Sequence, residues 1–154
     1  MRAKLTVSIL AAALAAAAQP VQVLSVSAPV RTAAKRGGEA KLKLTLKLKD
    51  GYHVNSHTPN DDYLIPLRIS WEKGPLEPIE TVFPKPRLEK YPFSAKPVSV
   101  FSGAFEVTAR FRVAASAPAG IMALSGKLRY QACTETMCLP PKTIDVKAPV
   151  EVVP

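Results

Sequence analysis

The chain has 154 residues, about one domain, and 21 Lys and Arg against 12 Asp and Glu give a formal net charge of +9. Hydrophobic residues make up 47% and charged residues 21%, globular values that argue against intrinsic disorder despite 15 prolines. Two cysteines exclude a disulfide-dense miniprotein, and no glycine-rich loop between a strand and a helix provides a nucleotide-binding fingerprint.

The first 18 residues have the pattern of a secretory signal peptide. Arg2 and Lys4 form a positive n-region, and the apolar run over residues 5–14 leads into alanines that offer a small-residue cleavage site. This run is shorter than the roughly 18 residues expected of a transmembrane helix. We therefore expect residues 1–18 to direct export and residues 19–154 to form a single domain.

Alternation of apolar and polar residues dominates the mature chain and predicts β-strands. The pattern is clearest over residues 40–49, where alanine and leucines alternate with lysines, and it recurs over 105–113 and 124–131. Shorter strand candidates are residues 21–27, 64–71, 79–83, 98–101 and 143–148. The prolines, Pro78 among them, are expected between strands or at their ends.

About eight short strands separated by turn signals, with no helical period after the signal peptide, predict an all-β fold. We expect an immunoglobulin-like antiparallel β-sandwich, with a small barrel as the alternative.

Cys133 and Cys138 flank four residues at a predicted turn between strands. Residues facing each other at the base of a hairpin have Cα atoms about 4.5 to 5.5 Å apart, a separation that a disulfide accepts. Continuing the alternation of the preceding strand places Cys133 on the outward face with Arg129 and Gln131.

A disulfide closing about six residues removes only about 2 kcal/mol of chain entropy, so this pair is poorly placed as a stabiliser. Neighbouring sulfurs suit a redox pair, because the second thiol can resolve a mixed disulfide formed by the first. The spacing alone leaves a structural disulfide and a redox site open.

The stretch YQACTETMCLPPKTIDV, residues 130–146, resembles the cysteine hairpin of the N-terminal periplasmic domain of the DsbD thiol:disulfide interchange proteins. In that hairpin Tyr-Gln-x-Cys, a short loop and Cys-x-Pro-Pro recur together. Upstream, Asp50-Gly-Tyr-His53 is similar to a strand entry of that family, and Tyr91-Pro-Phe93 falls where its cap loop lies. The resemblance spans most of residues 38–148.

This resemblance implies an immunoglobulin-like fold and electron transfer by thiol–disulfide exchange, without a cofactor. Cys138 would form mixed disulfides with partners and Cys133 would resolve them. A cap over residues 89–94, with Tyr91 or Phe93 as its lid, would shield the pair from other oxidants.

The partners implied by the resemblance are periplasmic thioredoxin-like proteins or domains, including disulfide isomerases and cytochrome-maturation thioredoxins. Tyr52 and Tyr130, which belong to the similar motifs, are candidate binding residues. Full-length members continue into a membrane-embedded electron conduit, so this chain is expected either to take electrons from a separate protein or to act only as a carrier or docking module.

The alternative from another class is a non-catalytic secreted binding module whose hairpin disulfide is structural. A metal carrier is a third hypothesis, because His53 and His57 with the two cysteines make a Cys₂His₂ inventory. Their spacing in a looped or extended segment does not favour ligation, so we predict no metal site and interpret both histidines as solvated loop residues.

The early cluster of basic residues is interpreted as a solvated strand face that discourages aggregation at a sheet edge. Docking to anionic lipid or to an acidic partner is the alternative for this face. Nucleic acid is not expected as a partner, because the aromatic residues that stack bases are absent from it. The residues concerned are Arg31, Lys35, Arg36, Lys41, Lys43, Lys47 and Lys49.

Overall fold

The computed structural model describes residues 21–154, so the predicted signal peptide lies outside the described residues. Within this part of the chain there are twelve strands and no helix, which confirms the all-β prediction but exceeds the eight strands expected. The strands are β1 (Leu24–Ser27), β2 (Thr32–Lys35), β3 (Glu39–Leu48), β4 (His53–Asn55), β5 (Arg68–Trp71), β6 (Leu76–Val82), β7 (Arg87–Glu89), β8 (Val98–Ser102), β9 (Ala104–Val113), β10 (Gly120–Tyr130), β11 (Ala132–Cys133) and β12 (Lys142–Val153). Residues 21–154 contain no helix long and apolar enough to cross a membrane.

The strands form three four-stranded sheets, which we call the first sheet (β1-β3-β9-β6), the second sheet (β2-β12-β10-β5) and the third sheet (β11-β4-β8-β7). The first two sheets share one hydrophobic core. Trp71 of the second sheet packs edge-on against Phe111 of the first, with ring centroids 5.0 Å apart, and its indole N–H donates to the Thr81 hydroxyl at 3.1 Å. The immunoglobulin-like sandwich is therefore confirmed, with one departure from antiparallel pairing: β2 runs parallel to β12.

The third strand shows most directly how the sequence specifies the core. Every second residue of β3, from Ala40 to Leu48, is buried, and the residues between them are exposed. The strand is hydrogen-bonded to β1 on one side and to β9 on the other. The interpretation of its lysines as protection for a sheet edge is therefore wrong, because β3 is an inner strand.

Strand β6 contains Pro78, contrary to the expectation that this proline lies between strands. It is an edge strand of the first sheet, and its register with β9 shifts between Pro78 and Glu80. An edge strand with an irregularity tolerates a residue that has no N–H to donate.

The chain enters and leaves the third sheet at tight bends. Gly51 follows β3 with φ of 81°, and Gly103 precedes β9 with φ of 66°, a left-handed backbone that favours glycine. Between these bends the chain supplies β4, crosses to the other two sheets for β5 and β6, and returns for β7 and β8; a later crossing at Gln131 brings β11 in from the second sheet. The third sheet thus carries the cysteine hairpin at one edge strand, β11, and leads into the predicted cap from the other edge strand, β7.

Candidate functional site

A disulfide joins Cys133 and Cys138 in a hairpin whose strand β11 pairs with β4. The two cysteines face each other as an antiparallel bridge, with Cα atoms 3.9 Å apart, below the predicted range. The Thr134 N–H donates to the Met137 carbonyl at 2.8 Å, and the Thr134 hydroxyl oxygen accepts from the Met137 N–H at 3.3 Å. The four-residue loop is therefore closed by backbone and side-chain hydrogen bonds as well as by the sulfur bond.

The two cysteines differ in exposure. Cys133 is 0% exposed, whereas Cys138 lies at the surface. The expected outward position of Cys133 beside Arg129 and Gln131 is wrong, because the chain leaves the second sheet at Gln131 and the alternation of β10 does not continue into β11. A partner approaching from solvent meets Cys138 first.

His53, the first residue of β4, lies directly opposite Cys133 in the antiparallel pair β4–β11. Directly opposed residues point to the same face of a sheet, with Cβ atoms about 4.5 to 5.5 Å apart. His53 is only 4% exposed, so its interpretation as a solvated loop residue is wrong. Its Nε2 atom is buried and has no hydrogen-bond partner among the described residues.

Burial lowers the pKa of His53 below the ordinary histidine value, and the carboxylate of Glu89 opposes this to a smaller extent. Burial lowers the pKa because it penalises the charged imidazolium more than the neutral imidazole. The ring is therefore neutral at neutral pH.

The predicted cap segment, residues 89–94, covers His53 with aromatic rings. Tyr91 stacks on the imidazole with centroids 4.1 Å apart and planes 14° from parallel, and Phe93 stacks on Tyr91 at 5.2 Å. The Tyr91 hydroxyl donates to the Glu89 carboxylate at 2.7 Å. Burial, together with this carboxylate, raises the pKa of Tyr91, so its hydroxyl stays protonated and remains a donor. We call His53, Tyr91 and Phe93 the aromatic stack.

An open cleft of about 490 Å³ separates the cap from the cysteine hairpin. Its lining includes Tyr52, His53 and Tyr91 together with the hairpin residues Thr134 and Glu135. The cleft gives access to the loop that carries the disulfide.

The structure brings together most of the residues singled out in the sequence. Tyr52 and Tyr91 line the cleft beside the cysteine hairpin, and Phe93 joins through the aromatic stack. Tyr130 is 1% exposed and belongs to the hydrophobic core, so its ring has no surface for a partner to contact.

His53 lies under the cap, a position that the sequence did not predict for it, whereas Glu89 was already included in the predicted cap segment. The signal available for His53 was its place at the end of the Asp50-Gly-Tyr-His53 motif. His57 lies apart, stacked on Phe83 at 4.5 Å. Within residues 21–154, no group of three or more His, Cys, Asp or Glu side chains is placed to hold a metal ion.

The family described as thiol:disulfide interchange protein DsbD, N-terminal, matches residues 20–149. No curated protein matches the chain.

Among solved structures, the N-terminal periplasmic domain of ScsB from Proteus mirabilis matches with a TM-score of 0.58 and 15% identity, over 85% of this chain and 47% of that one. This chain therefore spans about half the length of that structure, and the likeness is one of fold. The seventh ScaB type I cohesin from Pseudobacteroides cellulosolvens matches with a TM-score of 0.48 and 12% identity, over 85% of this chain and 92% of that one.

Proposed function

Because the chain belongs to the family of DsbD N-terminal domains, we propose that it is a periplasmic thiol–disulfide exchange domain. It passes electron pairs between thioredoxin-like partners by opening and closing the bond between Cys133 and Cys138. The observation that carries this proposal is the unequal exposure of two cysteines joined in one short hairpin. The open cleft borders this hairpin and the cap.

Reduction of the domain begins when a thiolate of a reduced partner attacks the Cys138 sulfur. The intramolecular bond breaks, Cys133 leaves as a thiolate and takes up a proton, and the partner is held at Cys138 as a mixed disulfide. The partner's second thiolate then attacks the partner's first sulfur in the mixed disulfide, and Cys138 leaves as a thiolate that takes up a proton. Two electrons and two protons have passed to the domain, and the partner is oxidised to its disulfide.

Delivery of the electrons runs through the same intermediate in reverse. The Cys138 thiolate attacks the disulfide of an oxidised partner and forms a mixed disulfide, and one partner sulfur leaves as a thiol. Cys133, held within the hairpin, then attacks the Cys138 sulfur and releases the second partner thiol. Burial suits Cys133 to this intramolecular step, since it needs to meet only its neighbour.

The cap controls access to the hairpin in this proposal. Tyr91 and Phe93 lie over His53, the cross-strand neighbour of Cys133, and a docking partner displaces them to approach the buried sulfur of Cys133 from that side. With the cap closed, the aromatic rings limit attack by small oxidants and reductants from that side.

An exposed apolar rim beside Cys138 supplies a docking surface for a thioredoxin-like partner. Met137 is 57% exposed, and Leu139, Pro140 and Pro141 line a second apolar hollow on the far side of the cysteine. Apolar contacts around the attacking sulfur hold the two proteins together while the sulfur bonds exchange. We propose disulfide isomerases and cytochrome-maturation thioredoxins as recipients, with a membrane electron conduit as the source of electrons.

The test is a pair of matched variants incubated with an oxidised thioredoxin-like protein. In reduced Cys133→Ser, Cys138 still forms the mixed disulfide but nothing resolves it, so the covalent complex accumulates and is visible on a non-reducing gel. The matched Cys138→Ser variant accumulates far less, because its remaining thiol is buried. Equal trapping by both variants, or by neither, contradicts the proposal.

The reduction potential distinguishes exchange from a structural role. Equilibration of the folded protein in glutathione or dithiothreitol buffers, read by thiol trapping, is expected to give a potential above about −300 mV, the level below which structural disulfides usually lie. A bond that is reduced only after unfolding would instead favour a secreted binding module with a structural disulfide.

A further inference from the structure

The cap does not rest on an inert surface. Its inner ring, Tyr91, stacks on His53, a histidine that is 4% exposed and whose Nε2 atom has no hydrogen-bond partner among residues 21–154. A buried nitrogen without a hydrogen-bond partner costs free energy. An apolar residue at this position would avoid that cost. A titratable ring is therefore built into the contact that closes the cap.

We propose that His53 is a positioning residue for thiol–disulfide exchange, whose neutral ring holds Tyr91 in the closed cap and whose protonation opens it. The inference rests on the proposed function, in that the cap covers the approach to a redox pair. According to this proposal, the protonation state of His53 links the pH of the solution to the accessibility of the disulfide.

The stacking geometry favours the neutral ring. In the closed cap the imidazole is covered by Tyr91 on one face, and residues 21–154 form no ion pair with it. A charge placed there therefore loses its water and gains only the smaller attraction of the Glu89 carboxylate. The imidazole already borders the open cleft, although it is only 4% exposed, and opening of the cap would expose the face that Tyr91 covers. Protonation is therefore easier in the open state than in the closed one.

Charged and titratable groups face His53 from the cap and from the cysteine hairpin. The cap side contributes Glu89 and Tyr91, with Arg87 paired to Glu89 at 3.4 Å, and the hairpin contributes Glu135, which lines the cleft. From β8, the residue opposite His53 is the uncharged Ser102. Tyr52 precedes His53 on its own segment, and Cys133 does not titrate while it is in the disulfide.

The carboxylates of Glu89 and Glu135 determine how well the charged form of His53 is stabilised. Glu89 is engaged by Tyr91 and Arg87 in the closed cap, and Glu135 also lines the cleft. An imidazolium that reaches the open cleft meets water and a net negative wall, both of which stabilise it.

The sign of the pH effect follows from the pKa shift. Burial lowers the pKa of His53 in the closed cap more than Glu89 raises it, and exposure to water returns the pKa toward the ordinary value. The open state therefore binds protons more tightly, so acid shifts the equilibrium toward the open cap, beginning near the ordinary histidine pKa of about 6.5.

The experiment follows the cap and the disulfide separately in oxidised full-length protein. Proton NMR records the imidazole shifts of His53 and the ring shifts of Tyr91 between about pH 8 and pH 5, because stacking moves ring resonances. A water-soluble phosphine reports access to the disulfide through its rate of reduction. His53→Phe is the matched variant, since phenylalanine keeps a flat ring under Tyr91 and removes the titratable group.

We expect the Tyr91 resonances to lose their stacking shift in step with the protonation of His53. We also expect the reduction rate of the wild type, divided by that of His53→Phe at the same pH, to rise up to about tenfold from pH 7.5 to pH 5.5. Dividing by the variant cancels the pH dependence of the reductant.

A Tyr91 ring that stays stacked while His53 titrates overturns the inference, and so does a rate ratio that does not change with pH. Should His53→Phe fail to fold, the wild-type NMR titration alone decides between these outcomes. The proposed function fails in a different way, through absent mixed-disulfide trapping with Cys133→Ser, which leaves the NMR titration of the cap unaffected.

Discussion

Cys133 and Cys138 are joined by one bond, yet the first is completely buried and the second is exposed. The difference arises because Cys133 belongs to β11 and pairs with β4, whereas Cys138 follows the loop and lies outside the named strands. Two sulfurs in one hairpin are thereby given unequal access to solvent.

This asymmetry predicts the order of alkylation in the reduced protein. We expect iodoacetamide to modify Cys138 at least about tenfold faster than Cys133, because reactivity depends on exposure of the thiolate. Mass spectrometry of peptides from a limited reaction measures the ratio. In urea the two rates should converge, and equal rates in the folded protein would contradict the role assigned to Cys138.

The cap predicts a graded series of variants at Tyr91. Tyr91→Phe keeps the ring on His53 but loses the hydrogen bond to Glu89, worth about 1 kcal/mol, so cap opening should rise about fivefold. Tyr91→Ala loses the stacking as well and should open the cap further. The rate of disulfide reduction by a small phosphine is expected to increase from wild type to Tyr91→Phe to Tyr91→Ala.

Leu88→Ala provides the control for that series, since Leu88 is 69% exposed on β7, the edge strand that leads into the cap, and lies outside the aromatic stack. Its reduction rate should equal that of the wild type. If all variants were reduced at the wild-type rate, the cap would have no part in access to the disulfide.

The close contact between β10 and β5 predicts that adding a side chain at Gly126 destabilises the fold. A Cβ atom there would lie 2.7 Å from Cε3 of Trp71 and 3.0 Å from the backbone oxygen of Ser70, and the backbone cannot yield easily. Gly126→Ala should lower the free energy of unfolding by about 1 to 3 kcal/mol, as overpacking does. Urea denaturation followed by Trp71 fluorescence measures the change.

Gly74→Ala is the matched control for Gly126→Ala. A Cβ atom at Gly74 meets nothing within 4 Å, and the residue does not have a positive φ. Its urea midpoint should stay close to that of the wild type. A similar loss in both variants would mean that the crowding at Trp71 is not the cause.

Protonation of His57 is expected to account for part of the loss of stability at acidic pH. Its ring stacks on Phe83 at 4.5 Å, and burial lowers its pKa. Since the unfolded chain binds the proton more tightly, this contribution to stability is lost as pH falls below about 6.5. The urea midpoint should therefore drop less between pH 7 and pH 5 in His57→Phe than in the wild type, whereas equal drops would exclude this residue.

The sequence predicted the sandwich well wherever one face of a strand is buried and the other is solvated. In β3 the period of two is visible from Ala40 to Leu48, and the burial follows it residue by residue. The short strands of the third sheet carry no such pattern. All three residues of β4 are buried, so neither the strand nor the burial of His53 could be inferred from alternation.

The site was predicted in part for the same physical reason. The cysteine spacing indicated a disulfide, but the exposure of Cys133 depended on where the chain changes sheets, which the alternation of β10 does not reveal. Tyr130 lies next to the hairpin in sequence, yet it is the last residue of β10 and its ring enters the core. Proximity along the chain is therefore a weak guide to which residues a partner can touch.

The parallel pairing of β2 with β12 has a consequence for the order of folding. Thr32 pairs with Val150, so this register closes a loop over most of the domain, and such non-local pairings form slowly, because the loop entropy is lost before the contacts are gained. The cysteines are only five residues apart in sequence and need no distant partner to meet. Oxidation of the hairpin is thus able to precede closure of the sandwich. A newly synthesised chain can form its disulfide before β2 and β12 have paired.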